Sequence, residues 1–349
     1  MSEPGIKLTS YFSERDRSGE RFQADALFDV YERHRLRTSV LLRGAGGFGE
    51  RHRLQTDSLL TLSEDLPAVS VAVDSAARIE RALADVLAVT AHGLVTLERA
   101  RLVDRDESVT VDDGRAIKLT VYGGRGVRAA GRAGYVAAVE LLREAGADGA
   151  SVLLGVDGTL HGDRRRSRFF ARNADVPLML LTVCDPPIVA AVLPRLAELL
   201  TDAVATVELV QICKSDGALI EPPRSLSASD SSGLPVWQKL MVHCEEQAMI
   251  DGHPLHRTLI RRLWEAGGGG ATVLRAVRGF YATRQPFADR VLALRRNVPM
   301  VVVVVDEPDR IQRLWPVIDE LTADAGLVTS ELVPAAGQRL WKNPPLQAL

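Results

Sequence analysis

The sequence predicts an α+β protein built from three tandem βαββαβ units. Three observations lead to this prediction: an apolar strand motif that begins with lysine occurs three times, an X-Pro step before an apolar run occurs three times, and both recur at nearly constant offsets. The chain has 349 residues, of which 46% are apolar and 25% are charged. That length suits two or three domains, and three units of about 100 residues account for it.

The repeats set the boundaries of the units. Lys7-Leu8-Thr9-Ser10-Tyr11 recurs at 118–122 and at 239–243. The apolar stretch 38–42 aligns with 150–154 and 271–275, and Leu66-Pro67 aligns with Val176-Pro177 and Val298-Pro299. We therefore predict three units and a tail, with these bounds: 1–104, 115–216, 235–335 and 336–349. The period is that of a domain, since solenoid repeats span only about 20–50 residues.

The elements of the first unit follow from periodicity, taken in chain order. Residues 6–12 predict a strand, and Phe22, Ala26 and Val30 share one face of a helix. Residues 38–43 predict a second strand and residues 67–73 a third, in which valines alternate with small residues.

Asp74 then stands where the N-cap of a second helix is expected. Ile79, Leu83 and Val86 form the apolar face of that helix, and residues 94–102 predict the last strand. In the other two units, Pro194 and Pro316 fall inside the second helix, where an interior proline predicts a bend or a break.

The third strands predict how the units pack. Residues 178–183 and 300–305 are apolar at nearly every position, which is typical of strands buried on both faces. Helices of a βαββαβ unit cover one face of its sheet. We therefore expect the other copies to cover the second face around a pseudo-threefold axis. The alternative is three independent domains on linkers.

Composition excludes several functional classes. A net charge of −2 argues against a generally basic nucleic-acid-binding protein. The chain has neither an apolar run long enough to span a membrane nor the apolar core of a secretory signal. Three cysteines do not make a disulfide framework. We expect a cytoplasmic, monomeric chain.

Several segments of unit 1 resemble an uncharacterised PII-like family, known only as a domain of unknown function. The resemblance rests on residues 7–11, on Arg43-Gly44 with Gly47-Phe48-Gly49, on 63–67 and on 93–98. Units 2 and 3 resemble the family more loosely. The resemblance implies ferredoxin-like units, which here would form an intramolecular pseudo-trimer.

PII-like trimers hold small ligands, often nucleotides, in the clefts between subunits. A long loop between their second and third strands, the T-loop, senses the ligand and contacts a partner, often a membrane transporter. This chain departs from PII proteins in one respect. Residues 90–93, 200–203 and 323–326, before the last strands, lack the Gly-rich, Lys-bearing phosphate loop.

The T-loops concentrate positive charge. Their combined net charge is +7, in a chain whose total is −2. Arginine binds phosphate or carboxylate in a bidentate manner, and glycines let backbone N–H groups approach an anion. The candidate ligand-binding residues are Arg43, Gly44, Gly47, Gly49, Arg51, Arg53, Arg164, Arg165, Arg166, Arg275, Arg278 and Arg284. The alternative is that these arginines are simply solvated.

The recurring Lys7, Lys118 and Lys239 complete the candidate set, with either a structural or a cleft-lining role. No metal-ligand spacing and no Walker, G-x-S-x-G or H-E-x-x-H motif is present. We therefore expect a non-enzymatic regulatory protein that binds a nucleotide or another small anion, requires no metal, does not bind nucleic acid, and acts on a partner such as a membrane transporter or channel. Two alternatives stay open: an enzyme with its active site between units, and an interaction scaffold that binds no ligand.

Overall fold

The computed structural model describes residues 3–49, 53–56, 65–103, 116–166, 176–229, 235–281, 287–288, 298–324 and 326–336. Unit 1 contains β1 (Glu3–Ser13), β2 (Arg17–Ser18), β3 (Arg21–Phe22), α1 (Gln23–Arg33), β4 (Thr38–Phe48), β5 (Gln55–Thr56), β6 (Pro67–Ser75), α2 (Ala76–Val89) and β7 (Leu94–Val103). Unit 2 contains β8 (Ala116–Gly124), β9 (Arg128–Ala129), β10 (Arg132–Ala133), α3 (Gly134–Glu144), β11 (Gly149–Leu154), β12 (Asp157–Leu160), β13 (Asp163–Arg164), β14 (Pro177–Cys184), α4 (Pro186–Leu199) and β15 (Val204–Ser215). Between units 2 and 3 lies β16 (Ala218–Leu219), and unit 3 contains β17 (Val236–Glu245), β18 (Met249–Ile250), β19 (His253–Pro254), α5 (Leu255–Glu265), β20 (Ala271–Arg275), β21 (Arg278–Tyr281), β22 (Phe287–Ala288), β23 (Pro299–Asp306), α6 (Pro308–Leu321) and β24 (Leu327–Ala336).

The three units share one strand order. It is β7-β1-β6-β4 in unit 1, β15-β8-β14-β11 in unit 2 and β24-β17-β23-β20 in unit 3, with all pairs antiparallel. The main elements thus follow the predicted βαββαβ order. Hydrogen bonds between units join the three sheets into one network of 18 strands.

Each sheet buries both faces. In unit 1, Leu8 on β1 packs with Phe28 of α1 and Ile79 of α2, and units 2 and 3 have corresponding helix-side cores. The opposite faces meet in one core shared by all three units, to which Val71 and Met179 contribute. The prediction that other copies cover the second face is confirmed.

Strands also pair across the units, in cyclic order. β12 of unit 2 pairs with β4 of unit 1, β21 of unit 3 pairs with β11 of unit 2, and the second half of β4 pairs with β20 of unit 3. The last strands meet in the same way: β15 pairs with β7, and β24 pairs with both β15 and β7. The three units therefore form one body, and the alternative of independent domains on linkers is wrong.

The hydrogen-bond register corrects the predicted alignment of the second strands. Leu42, Leu153 and Leu274 each pair with a residue of the third strand of their unit. That residue pairs in turn with the fifth residue of the lysine motif, so the three leucines occupy equivalent positions. The sequence alignment instead matched Leu42 with Leu154 and Arg275, one residue off. These strands are apolar on both faces, so alternation gives no signal that separates the two registers.

Three local predictions also differ from the structure. The residue before α2 is Ser75, and Asp74 lies one position earlier, where its carboxylate accepts the backbone N–H of Arg37 at 2.8 Å. Phe22 precedes α1 and is exposed instead of lying on its buried face. α4 and α6 continue through Pro194 and Pro316, both of which lie on the exposed side of their helices, so the helices bend at most and do not break there.

The six helices of the described residues are short, and none combines the length and the apolar character that crossing a membrane requires.

Candidate functional site

The first and last strands of every unit place charged side chains in the shared core. Lys7 on β1 lies opposite Glu98 on β7, and the same cross-strand pair recurs in the other units. Side chains alternate along a strand, so the leucine after each lysine faces the helices while the lysine faces the core shared by the three units. We call the six residues the charge ring; it consists of Lys7, Lys118, Lys239, Glu98, Glu208 and Glu331.

The ring alternates in sign and closes on itself. Lys7 Nζ lies 2.7 Å from Glu98 of its own unit and 2.6 Å from Glu208 of unit 2. Lys118 contacts Glu208 at 2.6 Å and also contacts Glu331 of unit 3. Lys239 Nζ closes the ring, at 3.1 Å from Glu331 and 2.6 Å from Glu98. Every lysine thus bridges its own unit to the next.

The ring is buried, with its side chains only 3–7% exposed. Burial raises the pKa of Glu98, but Lys239 and Lys7 outweigh this effect and hold the pKa well below its usual range. Burial lowers the pKa of Lys239, and Glu331 and Glu98 overcome it and raise the pKa. Lys118 differs, because burial lowers its pKa and Glu208 and Glu331 offset this effect only in part. The ring thus pairs three lysines with three glutamates in a water-poor core.

The three ring carboxylates have oxygens within 4.8 Å of one another, a spacing that suits a cation. The lysine ammonium groups already contact these carboxylates, so the ring supplies its own cations. A cavity of about 40 Å³ borders the ring and is lined by four ring residues, by three hydroxyl side chains and by apolar side chains; the polar ones are Lys7, Lys118, Lys239, Glu98, Thr9, Thr120 and Tyr11. That volume holds at most a few water molecules and is too small for a nucleotide.

The ring is not equally satisfied in the three units. Thr9 Oγ1 donates a hydrogen bond to Glu98 Oε1 at 3.0 Å. Met241 occupies the equivalent position in unit 3. There, Glu331 Oε1 and Thr329 Oγ1 are buried without a hydrogen-bond partner among the described residues.

Where β4, β12 and β21 approach the neighbouring units, three equivalent glycines allow the close contact. These are Gly47, Gly158 and Gly279, and a Cβ on any of them would overlap a backbone carbonyl oxygen of the strand it pairs with. Gly44 is similarly close to the Pro67 carbonyl, whereas a Cβ on Gly49 would meet open space. Gly44 and Gly47 of the first T-loop thus serve close strand pairing, whereas Gly49 does not.

The strands that begin the T-loops lie against the first helix of the neighbouring unit: β12 and β13 against α1, β21 against α3, and β4 against α5. We call the surface between each of these strands and its helix an inter-unit groove. In the groove between units 1 and 2, Arg164 reaches Asp157 of its own loop and Asp29 of α1, each at 2.6 Å. Its guanidinium also lies 5.7 Å from the ring centre of Phe28. Arg166 reaches Asp25 of α1 at 2.9 Å. Two predicted ligand-binding arginines therefore hold unit 2 to unit 1.

Among the described residues, the groove between units 2 and 3 follows the same plan with fewer charged contacts. Arg278 of β21 contacts Glu140 of α3 at 3.1 Å. Arg275 and Arg43 pair within their own units, with Glu246 and with Glu14.

The remaining candidates contribute less. Arg165 is exposed, 3.9 Å from Asp163, and Arg53 is also exposed. Arg51 and Arg284 lie outside the described residues.

In the groove between units 3 and 1, the first helix carries a basic side chain at a position where the other two first helices carry an acidic one. The seventh residue of the first helix is Asp29 in unit 1, Glu140 in unit 2 and Arg261 in unit 3. The third residue is Asp25 in unit 1 and Arg257 in unit 3, and both arginines are exposed. Facing α5, β4 offers the backbone and small side chains of 44–47. Arg261 Nε also lies 3.9 Å from Glu265, one turn further along α5. Among the described residues, this helix therefore offers two arginines and one glutamate where α1 offers two aspartates.

Sequence reasoning missed the acidic half of the charge ring. The signal was present, because each last strand carries Thr-x-Glu: Thr96–Glu98, Thr206–Glu208 and Thr329–Glu331. An acidic residue at the same place in three apolar strands, matched by a lysine at the same place in three others, indicates ion pairing between them.

Comparison with known proteins finds one protein family. A family model described as "Uncharacterized ACR, COG1993" matches residues 5–102, 116–212 and 237–335. A "UPF0166 protein" of Aquifex aeolicus (strain VF5) is 32% identical over 93 residues, which cover 26% of this chain and 86% of that protein.

Proposed function

Since this chain belongs to the family described as "Uncharacterized ACR, COG1993" through all three of its units, we propose that it is a non-enzymatic regulatory protein. In this proposal the units are PII-like and form an intramolecular pseudo-trimer. The cyclic pairing of strands between units and the closed charge ring support that arrangement. The protein binds a small anion, such as a nucleotide, between two units and acts on a partner through its T-loops.

The ligand belongs in the groove between units 3 and 1. The observation that carries this choice is the reversal of charge on the first helix, from Asp29 and Glu140 to Arg261. In the other two grooves, arginines of the T-loops meet carboxylates of the chain itself. Arg257 and Arg261 place two guanidinium groups one helical turn apart, which suits a phosphate or a carboxylate ligand. The pair of Arg261 with Glu265 is long, at 3.9 Å, and exposed, so an anionic ligand would compete with it at little cost.

The T-loop of unit 1 couples the ligand to the partner. β4 contacts α5, and in this proposal Arg53, which follows β4 in the chain, also binds the anion. A ligand that orders or displaces the loop would change the surface offered to a partner. We place this action in the cytoplasm, with a membrane transporter or channel as the class of partner.

Calorimetric titration with a panel of nucleotides, inorganic phosphate and dicarboxylates tests the proposal. We expect at least one anion to bind, and the double variant Arg257→Gln/Arg261→Gln to bind it less tightly by about tenfold or more. The matched control is Arg81→Gln/Arg195→Gln, which removes two exposed helix arginines elsewhere and leaves affinity unchanged. Absence of heat from every anion at millimolar concentration would refute the ligand, and turnover of any panel member would refute the non-enzymatic assignment.

A further inference from the structure

Stability alone does not account for the charge ring. Replacing a buried ion network with apolar residues of similar volume is often neutral or stabilising, because the ions lose their hydration. The ring nevertheless occupies six positions at 3–7% exposure in a shared core that is mostly apolar, with a few hydroxyl side chains such as Thr9 and Thr120 beside it. Its presence calls for a role other than added stability.

The surrounding core cannot by itself define how the units meet. Val69, Val71 and Val73 follow one another on the axial face of β6, and Val301, Val303 and Val305 follow one another on β23. At these positions a slide of one unit by two residues along the axis exchanges one valine for another. A core of this kind requires apolar side chains of about the right volume, but it selects only weakly among alternative packing arrangements of the units. The apolar core therefore leaves registration to the strand pairs between units, at Gly47, Gly158 and Gly279, and to the ring.

The same slide would separate the charged groups of the ring. Each lysine reaches a glutamate of its own unit and a glutamate of the next, and the contacts close only when all three units stand at one level. A shifted or missing unit leaves a buried ammonium or carboxylate group with no partner. We infer that the charge ring is a registration device, which sets the axial level of the three units and limits their closure to three within one chain.

Two variants that change all six ring residues test this inference. The apolar-ring variant carries Lys7→Met, Lys118→Met, Lys239→Met, Glu98→Leu, Glu208→Leu and Glu331→Leu. The inverted-ring variant exchanges lysine for glutamate and glutamate for lysine at the same positions, and so keeps the alternation of sign. Light scattering after size exclusion reports the mass, and amide NMR spectra report the number of conformations.

We expect the apolar-ring variant to unfold at or above the wild-type temperature but to populate several species, with oligomers in the elution profile and more than one resonance for many amides. The inverted-ring variant should elute as one monomer with a single set of resonances. A single monomeric species with one set of resonances for the apolar-ring variant would overturn the inference, and so would heterogeneity of a folded inverted-ring variant. Should the apolar-ring variant fail to fold, the pair Lys118→Met/Glu331→Gln is judged by the same two measurements and the same criteria.

Discussion

Replacing Lys239 with methionine tests the energetics of the charge ring most directly. Methionine has a similar length and no charge, so the substitution keeps most of the packing and removes the ammonium group. Glu98 and Glu331 then lose contacts of 2.6 Å and 3.1 Å inside the shared core. Removing one partner of a buried ion pair costs about 3–5 kcal/mol. At roughly 2 °C per kcal/mol for a chain of this size, the melting temperature should fall by about 6–10 °C.

The matched control is Lys214→Met. Lys214 is as buried as Lys239, and its Nζ lies 2.7 Å from a carboxylate oxygen of Asp319. That carboxylate is 39% exposed and regains water when the lysine is removed, so the control should cost only about 1–2 kcal/mol. Chemical denaturation with matched slopes measures both variants. Equal losses for the two would refute the argument from burial.

The dependence on pH supplies a second criterion. Lys239 and Lys7 hold the pKa of Glu98 below its unfolded value, so this group stabilises the fold above about pH 4.3, and the contribution is lost as the pH falls toward the folded-state pKa. The raised pKa of Lys239 stabilises the fold below about pH 10.4 and is lost as the pH rises through the folded-state pKa. The stability difference between the wild type and Lys239→Met should therefore shrink below about pH 4.3. A difference that stays constant down to pH 3 contradicts this account.

Three further predictions address other parts of the site. Gly279→Ala should destabilise the protein by several kcal/mol, since its Cβ overlaps a backbone carbonyl, whereas Gly49→Ala, which meets open space, should be nearly neutral in the same denaturation assay. Thr9→Val should cost about 1–3 kcal/mol by leaving Glu98 Oε1 without its donor, while Thr329→Val removes a hydroxyl that has no partner in the described part of the chain and should cost little; equal losses would contradict the assignment. His243 should stay neutral down to about pH 4 in an NMR titration, because burial and nearby Lys118 lower its pKa to about 4, and a midpoint near 6.5 would show that it is hydrated.

Most of the architecture could be predicted from the sequence because its signals are local. The helical spacing of Ile79, Leu83 and Val86 and the threefold recurrence of the lysine motif each lie within one unit. Strands that are apolar on both faces indicated that other units cover the sheet face opposite the helices, since one set of helices buries only one face. The one-residue error at Leu153 and Leu154 has the same origin, because a strand without alternation does not identify which face each side chain occupies.

The site depended on contacts between distant parts of the chain. The sequence around Lys7 does not indicate that it forms an ion pair with Glu208, 201 residues away. The sequence around Arg164 likewise does not indicate an ion pair with Asp29. Loop arginines read from sequence look available to a ligand, and the structure shows that Arg164 and Arg278 are bound by carboxylates of neighbouring units.

The sequence by itself determined the three units, their order of elements and the residue types at each repeated position. Only the tertiary structure decided which charges neutralise one another across the units and which of the first helices carries arginines toward its neighbour. The physical reason is that hydrophobic periodicity is a property of one helix or strand, whereas the pairing of Lys239 with Glu98 or the exposure of Arg261 is set by the cyclic register in which three units meet.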